Sequence, residues 1–312
     1  MIKHIFGPVP SRRLGISLGV DIVPFKTCTL DCIYCECGRT TRLTTERSSF
    51  IDPEIIIEEL KHSISKNQYL DYITFSGSGE PTLNKDLGLI IDNIKQLTAT
   101  PVAVLTNGTL LYLEEVREDL SRSDLVLPSL DAVSPEVFVK INQPAGNLDI
   151  NLIVEGIVEF RKEYRGEIWL EVFIVEGIND GSDELDKLYQ TIKKINPDKV
   201  QLNSLDRPPA CAAVKPVDTG KLEQIAARWK NCPAKVEVIQ RVRQRREISS
   251  FSKNLENNIL NTIQRRPLMI EDLEAITGKK RCELFKYIDV LEKEKKIAAI
   301  IVEDKIFYGP PS

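Results

Sequence analysis

The sequence lacks any long hydrophobic run. No apolar stretch approaches the roughly 20 residues that a membrane-spanning helix needs. The N-terminal residues 1–5 are too short in apolar content for a signal peptide. We therefore expect a cytoplasmic protein without a membrane segment.

The sequence also lacks a strong charge of one sign and has little histidine. Forty-two Lys and Arg against 46 Asp and Glu leave a net charge of −4, which argues against a protein whose whole surface binds nucleic acid. The two histidines, His4 and His62, have no ligand-like neighbours in the sequence. The sequence also lacks an even number of widely spaced cysteines: it has seven, and four of them lie within residues 28–37. A secreted disulfide framework is thereby disfavoured, and clustered cysteines indicate metal ligands or redox groups.

Alternating strand and helix patterns fill most of the chain. Strands are predicted at 16–22, 72–75, 102–105, 125–127, 168–174, 200–202 and 236–239. Amphipathic helices are predicted between them, as at 55–66 and 182–194. Repeated β-then-α units predict an α/β fold, a partial (β/α)6-type barrel over residues 1–240, with its chemistry at the carboxyl ends of the strands.

The pattern changes near the C-terminus. Residues 241–255 are predicted to form a linker and residues 256–312 a second domain. Three helices followed by a hairpin outline a winged-helix-like domain. It holds ten Lys or Arg and ten Asp or Glu, whereas a DNA-binding winged helix should be basic.

Three cysteines form the most specific motif. Cys28, Cys32 and Cys35 have the spacing C-x3-C-x2-C, and thiolates on one short loop can cap three irons of a [4Fe–4S] cluster. The fourth iron then stays open for the amino and carboxylate groups of a ligand. Tyr34 supplies an aromatic face that can lie against an adenine. The alternative is a zinc knuckle with Cys37 as the fourth ligand.

The segment from Thr27 to Cys35 resembles the signature of the radical S-adenosylmethionine (SAM) superfamily. The wider stretch, from Gly7 to Thr41, resembles a branch of Fe–S oxidoreductases that is similar in part to the wybutosine-synthesis tRNA enzymes. The resemblance covers roughly residues 5–240. It implies a [4Fe–4S] cluster that takes an electron from a donor such as flavodoxin or ferredoxin. SAM is then cleaved to methionine and a 5′-deoxyadenosyl radical, which abstracts hydrogen from a substrate.

A glycine-rich loop follows the second predicted strand of the barrel. It resembles the family motif that meets the methionine end of SAM, and the residues expected to bind are Ser76, Gly77, Gly79, Glu80 and Thr82. Glycine lets the backbone approach a ligand closely, and a glutamate accepts hydrogen bonds from an ammonium group. The alternative is an ordinary turn.

Polar residues follow the third and fourth strands as well. Similar positions in the family contact the SAM carboxylate and ribose, which implies Asn107, Ser129 and Asp131 here. A helix N-cap or turn role is the alternative for Ser129 and Asp131. We expect Glu171 on the fifth strand and Asn179 after it to point into the barrel.

The substrate is open between two classes. A tRNA base is favoured by the family branch, by Arg12 and Arg13, and by the run Arg241–Arg246. A protein or peptide is favoured by the charge-neutral C-terminal module. Cys211 is the candidate for a catalytic thiol, because its loop should follow a strand on the active face. The alternative for Cys211, as for Cys232 and Cys282, is a small buried or incidental thiol. The competing hypothesis is an iron–sulfur redox sensor that binds nucleic acid through the winged helix.

Overall fold

The computed structural model describes residues 4–65, 70–146, 148–239, 255–279, 281–302 and 305–311. Its strands are β1 (Ile5–Ser11), β2 (Gly15–Val20), β3 (Thr27–Cys28), β4 (Arg42–Leu43), β5 (Tyr72–Phe75), β6 (Val102–Thr106), β7 (Leu125–Pro128), β8 (Glu167–Phe173), β9 (Lys199–Asn203), β10 (Lys235–Val238), β11 (Leu268–Met269), β12 (Ala298–Val302) and β13 (Lys305–Gly309). Its helices are α1 (Pro53–Ile64), α2 (Leu87–Leu97), α3 (Glu114–Leu120), α4 (Pro135–Asn142), α5 (Ile150–Glu163), α6 (Ser182–Ile195), α7 (Thr219–Arg228), α8 (Leu255–Ile263), α9 (Ile270–Thr277) and α10 (Arg281–Lys293).

One large sheet organises the N-terminal part of the molecule. Its strand order is β1-β2-β5-β6-β7-β8-β9-β10. Every neighbouring pair from β2 to β10 is parallel, and only β1 is antiparallel to its neighbour. The strands are buried apolar segments, as in Val102–Thr106, which is typical of parallel sheets covered by helices. The expected α/β fold with a parallel sheet is thus confirmed. Because β1 and β10 end the strand order, the sheet is open, and closure into a partial barrel stays a prediction.

The parallel order places four loops together. The loops after β2, β5, β6 and β7 leave the same edge of the sheet, because neighbouring parallel strands end on the same side. These loops carry the cysteine motif, the glycine-rich segment, Asn107 and Ser129. Chemistry is therefore concentrated at this edge.

The C-terminal part is a smaller unit of three helices and three strands. In it β13 pairs antiparallel with both β11 and β12. Its core side chains pack together with Val9 of β1, so this unit lies against the antiparallel edge of the large sheet. The winged-helix classification and the domain boundaries stay predictions. The predicted linker, with Arg241–Arg246, lies almost wholly outside the described residues.

No helix of the described residues combines the length and the hydropathy that crossing a bilayer requires.

Candidate active site

The cysteine loop is fastened to the glycine-rich loop by backbone contacts. The Lys26 amide donates to the Ser78 carbonyl at 3.0 Å, and the Glu80 amide donates to the Thr27 carbonyl at 3.1 Å. A Cβ atom on Gly79 would lie 2.1 Å from the Thr27 oxygen. Only glycine therefore allows this approach, which sets Cys28 beside the second loop.

Each of the three motif cysteines has its own nitrogen donor. The Asn107 Nδ2 lies 3.5 Å from the Cys28 sulfur, and the Asn142 Nδ2 lies 3.3 Å from the Cys32 sulfur. The Lys26 Nζ donates to the Cys35 sulfur at 3.2 Å. N–H groups directed at sulfur stabilise thiolate ligands and tune cluster potentials.

The pKa values of the thiols reflect burial and neighbouring charge. Burial, together with Glu80, raises the pKa of Cys28 to about 12. Burial and Asp131 likewise raise the pKa of Cys32 well above its ordinary value. Cys35 differs, because a hydrogen bond from Cys37 and the nearby Lys26 ammonium outweigh burial and lower its pKa to about 6.

The donor set fits an iron–sulfur cluster. In a cubane, three thiolates bind three different irons, so their sulfurs stand farther apart than the ligands of one ion. A zinc knuckle needs four ligands around a single point. Among the residues that the structure describes, no group of three or more His, Cys, Asp or Glu converges in that way. Cys37 is instead directed at Cys35 and at the Gly77 carbonyl, 3.5 Å away.

Glu80 is buried and joins the loops after β5 and β6 through hydrogen bonds. Its Oε1 accepts from the Thr82 amide at 3.0 Å, from the Thr82 hydroxyl at 2.7 Å and from the Thr106 hydroxyl at 2.6 Å. Among the described residues, its Oε2 accepts from one donor, the Asn107 backbone amide, at 2.7 Å. Burial raises the pKa of Glu80 and these hydrogen bonds oppose the rise. Since a carboxylate oxygen offers two acceptor positions, Oε2 keeps one for a further donor. Thr82 thus supports Glu80.

Tyr34 and Asp131 form a second buried cluster. The Asp131 carboxylate accepts three hydrogen bonds: from the Tyr34 hydroxyl at 2.5 Å, from the Asn142 side-chain amide at 2.8 Å and from the Phe173 backbone amide at 2.9 Å. Burial raises the pKa of Asp131 to about 6. With both carboxylate oxygens engaged, this geometry favours a supporting role for Asp131 over the predicted contact with ribose hydroxyls.

The aromatic ring of Tyr34 is itself partly covered. It stacks on Phe173, with ring centroids 3.9 Å apart and planes 9° apart. The predicted contact with adenine therefore has only the opposite face of the ring to use.

A series of paired charged and polar side chains lies near β1 and β8. Arg13 lies 2.9 Å from the Glu171 carboxylate, and Asn203 donates to Glu171 at 2.8 Å. Arg12 lies 3.7 Å from Asp206. Arg12 and Arg13, which were expected to favour tRNA as the substrate, therefore pair with carboxylates of the protein itself. Burial alone would raise the pKa of Glu171, but the combined effect of Arg13, Asn203 and Arg12 outweighs it and lowers the pKa.

Two other predicted residues, Ser129 and Asn179, bond to neighbouring strands and loops. Ser129 donates to Glu171 at 3.4 Å. Asn179 is fully buried, and its side-chain amide donates to the Asp131 and Phe173 carbonyls; its expected position inside the barrel stays a prediction. It closes its own loop.

The remaining thiols differ in their position. The Cys211 amide donates to the Ile33 carbonyl at 2.9 Å, which places this residue beside the cysteine loop. The Cys232 amide bonds the Trp229 carbonyl after α7. A catalytic role for Cys211 stays a prediction.

A cavity of about 870 Å³ opens between the large sheet and the C-terminal unit. Cys37, Ser76 and Gly77 line one part of it, so the cavity reaches the cysteine and glycine-rich loops. Arg207 joins its two sides: its Nε donates to the Pro267 carbonyl at 2.8 Å, and its Nη2 lies 3.1 Å from Asp272.

Sequence reasoning missed Lys26, Asn142 and Arg207. Lys26 stands two positions before the first cysteine, which is a signal that could have been used. Asn142 ends α4, a helix that was not predicted. Arg207 forms hydrogen bonds with Pro267 and Asp272, which lie 60 and 65 positions away in the sequence. Only tertiary structure brings Asn142 and Arg207 to the site.

Comparison with known proteins identifies the family. The sequence profile described as the radical SAM superfamily matches residues 22–192, more than half of the chain. A UPF0026 protein of Methanocaldococcus jannaschii is 34% identical over 305 residues, which cover 97% of this chain and 94% of that protein. A Brachyspira hyodysenteriae protein named GTPase Obg is 38% identical over 308 residues, which cover 98% of this chain but 45% of that protein. This chain thus spans less than half of that relative.

A solved structure supports the fold. TYW1 with a lysine-pyruvate adduct bound aligns with a TM-score of 0.54 and 17% identity, over 72% of this chain and 76% of that one. Radical SAM proteins are enzymes that use a [4Fe–4S] cluster and SAM. The chain belongs to the radical SAM superfamily and, by its full-length relative, to the UPF0026 family.

Proposed function

We propose that this protein cleaves SAM reductively at a [4Fe–4S] cluster held by Cys28, Cys32 and Cys35, and so modifies a substrate by radical chemistry. The observation that carries the proposal is the nitrogen donor at each of the three sulfurs. When bound, the cluster supplies the electron that splits SAM into methionine and a 5′-deoxyadenosyl radical. The electron comes from a one-electron donor such as flavodoxin or ferredoxin.

The residues around the sulfurs have distinct tasks in this proposal. Lys26 places a positive charge against Cys35, which favours its thiolate. Asn107 and Asn142 donate to the other two sulfurs and fix the orientation of the loop. Their amides are held in turn by Thr29 and by Asp131, as second partners commonly hold metal ligands.

The methionine end of SAM is assigned to the glycine-rich loop. Gly79 lies against the Thr27 carbonyl, and the Gly77 carbonyl lies 3.5 Å from the Cys37 sulfur. The Ser76 amide donates to the Val20 carbonyl at the end of β2, just before the cysteine loop. Glu80 accepts a hydrogen bond from the SAM ammonium group through Oε2, to which the described residues supply one donor, the Asn107 backbone amide. Asn107 and Ser129 remain proposed contacts for the polar groups of SAM.

The substrate is assigned to the cavity between the sheet and the C-terminal unit. Of the two expected classes, a tRNA base loses part of its support, because Arg12 and Arg13 contact Asp206 and Glu171. The run Arg241–Arg246 lies outside the described residues. A peptide and an RNA base both stay proposals. The family match favours the enzyme over the redox-sensing regulator.

Product analysis tests the proposal. The full chain is reconstituted with iron and sulfide without oxygen, then given SAM and dithionite. We expect 5′-deoxyadenosine, and we expect Cys32→Ala to abolish it because one ligand is lost. Cys232→Ala is the matched control, since Cys232 lies after α7 away from the motif, and it should retain the wild-type yield. A protein that binds its cluster but forms no 5′-deoxyadenosine would rule the proposal out.

A further inference from the structure

The cavity is lined by several arginines, which differ in their partners. Arg207 contacts Glu36 at 3.4 Å and Asp272 at 3.1 Å. Arg265 lies 3.7 Å from Asp21. These two guanidinium groups are thus matched by carboxylates of the protein.

Arg266 is different. It lines the same cavity, yet within the described part of the chain its guanidinium makes no hydrogen bond and no ion pair. Burial, and then the positive charge of Arg207, lower the pKa of Arg266 to about 10, so it is still charged at neutral pH. Arg266 is half-buried in the cavity wall, and a cation that has lost part of its hydration is favoured by a nearby counter-charge. The carboxylates of Glu36 and Asp272 act on it only at longer range, because they contact Arg207.

The position of Arg266 indicates which kind of ligand the cavity binds. It stands between α8 and β11 in the C-terminal unit, while Cys37 and Gly77 on the sheet side line the same space. The volume of about 870 Å³ falls among sites for small molecules, roughly 300–1,000 Å³. A guanidinium fork binds planar or tetrahedral oxyanions through paired N–H donors.

We propose that Arg266 binds an anionic group, a carboxylate or a phosphate, of the substrate in this cavity. The inference rests on the proposed function, which makes the cavity the substrate pocket. It gives the C-terminal unit a direct part in substrate recognition.

Anion binding is measurable without turnover. The reconstituted full chain is titrated with inorganic phosphate, and separately with acetate, at constant ionic strength, and the rise in Tm gives the affinity. We expect saturable binding that Arg266→Gln weakens at least tenfold and Arg266→Lys weakens less. Arg122→Gln removes one exposed charge outside the cavity and should bind like the wild type. The Tm without anion shows whether each variant folds.

The possible outcomes separate the alternatives. Tighter binding of phosphate indicates a phosphorylated substrate, and tighter binding of acetate indicates a carboxylic acid. Saturating SAM should leave anion binding intact; competition would assign Arg266 to the SAM carboxylate and overturn the proposal. Equal binding by Arg266→Gln, or no saturable binding by the wild type, would also overturn it. Because no SAM cleavage is needed, failure of the proposed function would appear separately, as missing 5′-deoxyadenosine.

Discussion

At the scale of single residues, the site depends on close contacts between loops. The spacing of the cysteines and the glycine-rich segment were visible in the sequence, because each motif is local. The contacts of Cys32 with Asn142 and of Tyr34 with Asp131 span about 100 positions. No local pattern encodes such pairs, so they were not predicted.

Gly79→Ala tests the contact between the two loops. Its Cβ would meet the Thr27 carbonyl at 2.1 Å, and backbone atoms cannot turn aside as a side chain can. We expect the variant to lose about 1–3 kcal/mol of unfolding free energy, as for overpacked sites, and to bind less iron after reconstitution. Chemical denaturation and iron analysis measure both effects.

Gly146→Ala is the matched control. A Cβ at Gly146 meets nothing within 4 Å, so stability should change by no more than about 0.5 kcal/mol. Equal stability and iron content in the two variants would show that the close approach at Gly79 is unimportant.

At the scale of elements, apolar periodicity predicted the parallel strands and most helices. It failed at β1, where Pro8 and Pro10 interrupt the strand pattern. Proline lacks an N–H group and is tolerated at sheet edges, which is where β1 lies. The eight-residue helix α4 was also missed; two turns give a weak periodic signal.

Helix α4 matters because it carries Asn142 to Cys32. We expect Asn142→Ala to weaken cluster retention against a chelator about 10- to 100-fold, as when an outer partner of a metal ligand is lost. The reduction potential should become more negative, because a donor to sulfur is removed. Chelator challenge followed by absorbance and a potentiometric titration provide the two readouts.

Asn151→Ala supplies the comparison for that experiment. Asn151 is exposed at the start of α5, and its side-chain amide donates to Asp149, so cluster retention and potential should match the wild type. If Asn142→Ala behaves like Asn151→Ala, the donor to Cys32 has no role in holding the cluster.

At the scale of the whole molecule, the C-terminal unit completes the cavity. The sequence predicted three helices and a hairpin there, yet gave no sign of where the unit packs. That position depends on Arg207, whose side chain is almost completely buried between Glu36, Asp272 and the Pro267 carbonyl. Such a contact joins segments that are distant in sequence and has no periodic signature.

Arg207→Ala should therefore loosen the C-terminal unit. Removing one member of a buried charged network costs about 3–5 kcal/mol, and hydrogen exchange in residues 255–279 should become faster. Arg228→Ala removes an exposed pair with Asp186 and should cost at most about 1 kcal/mol. Unchanged exchange in Arg207→Ala would mean that other contacts hold the unit.

The most direct test of the account is the electron paramagnetic resonance spectrum of the reduced, reconstituted protein with and without SAM, together with iron and sulfide analysis. Three cysteine ligands predict roughly four irons and four sulfides per chain with one open iron. SAM should then change the spectrum of the wild type and of Cys232→Ala, while Cys32→Ala should lack the full cluster. A complete cluster whose spectrum does not change when SAM is added, or zinc in place of iron, would contradict the assignment of Cys28, Cys32 and Cys35.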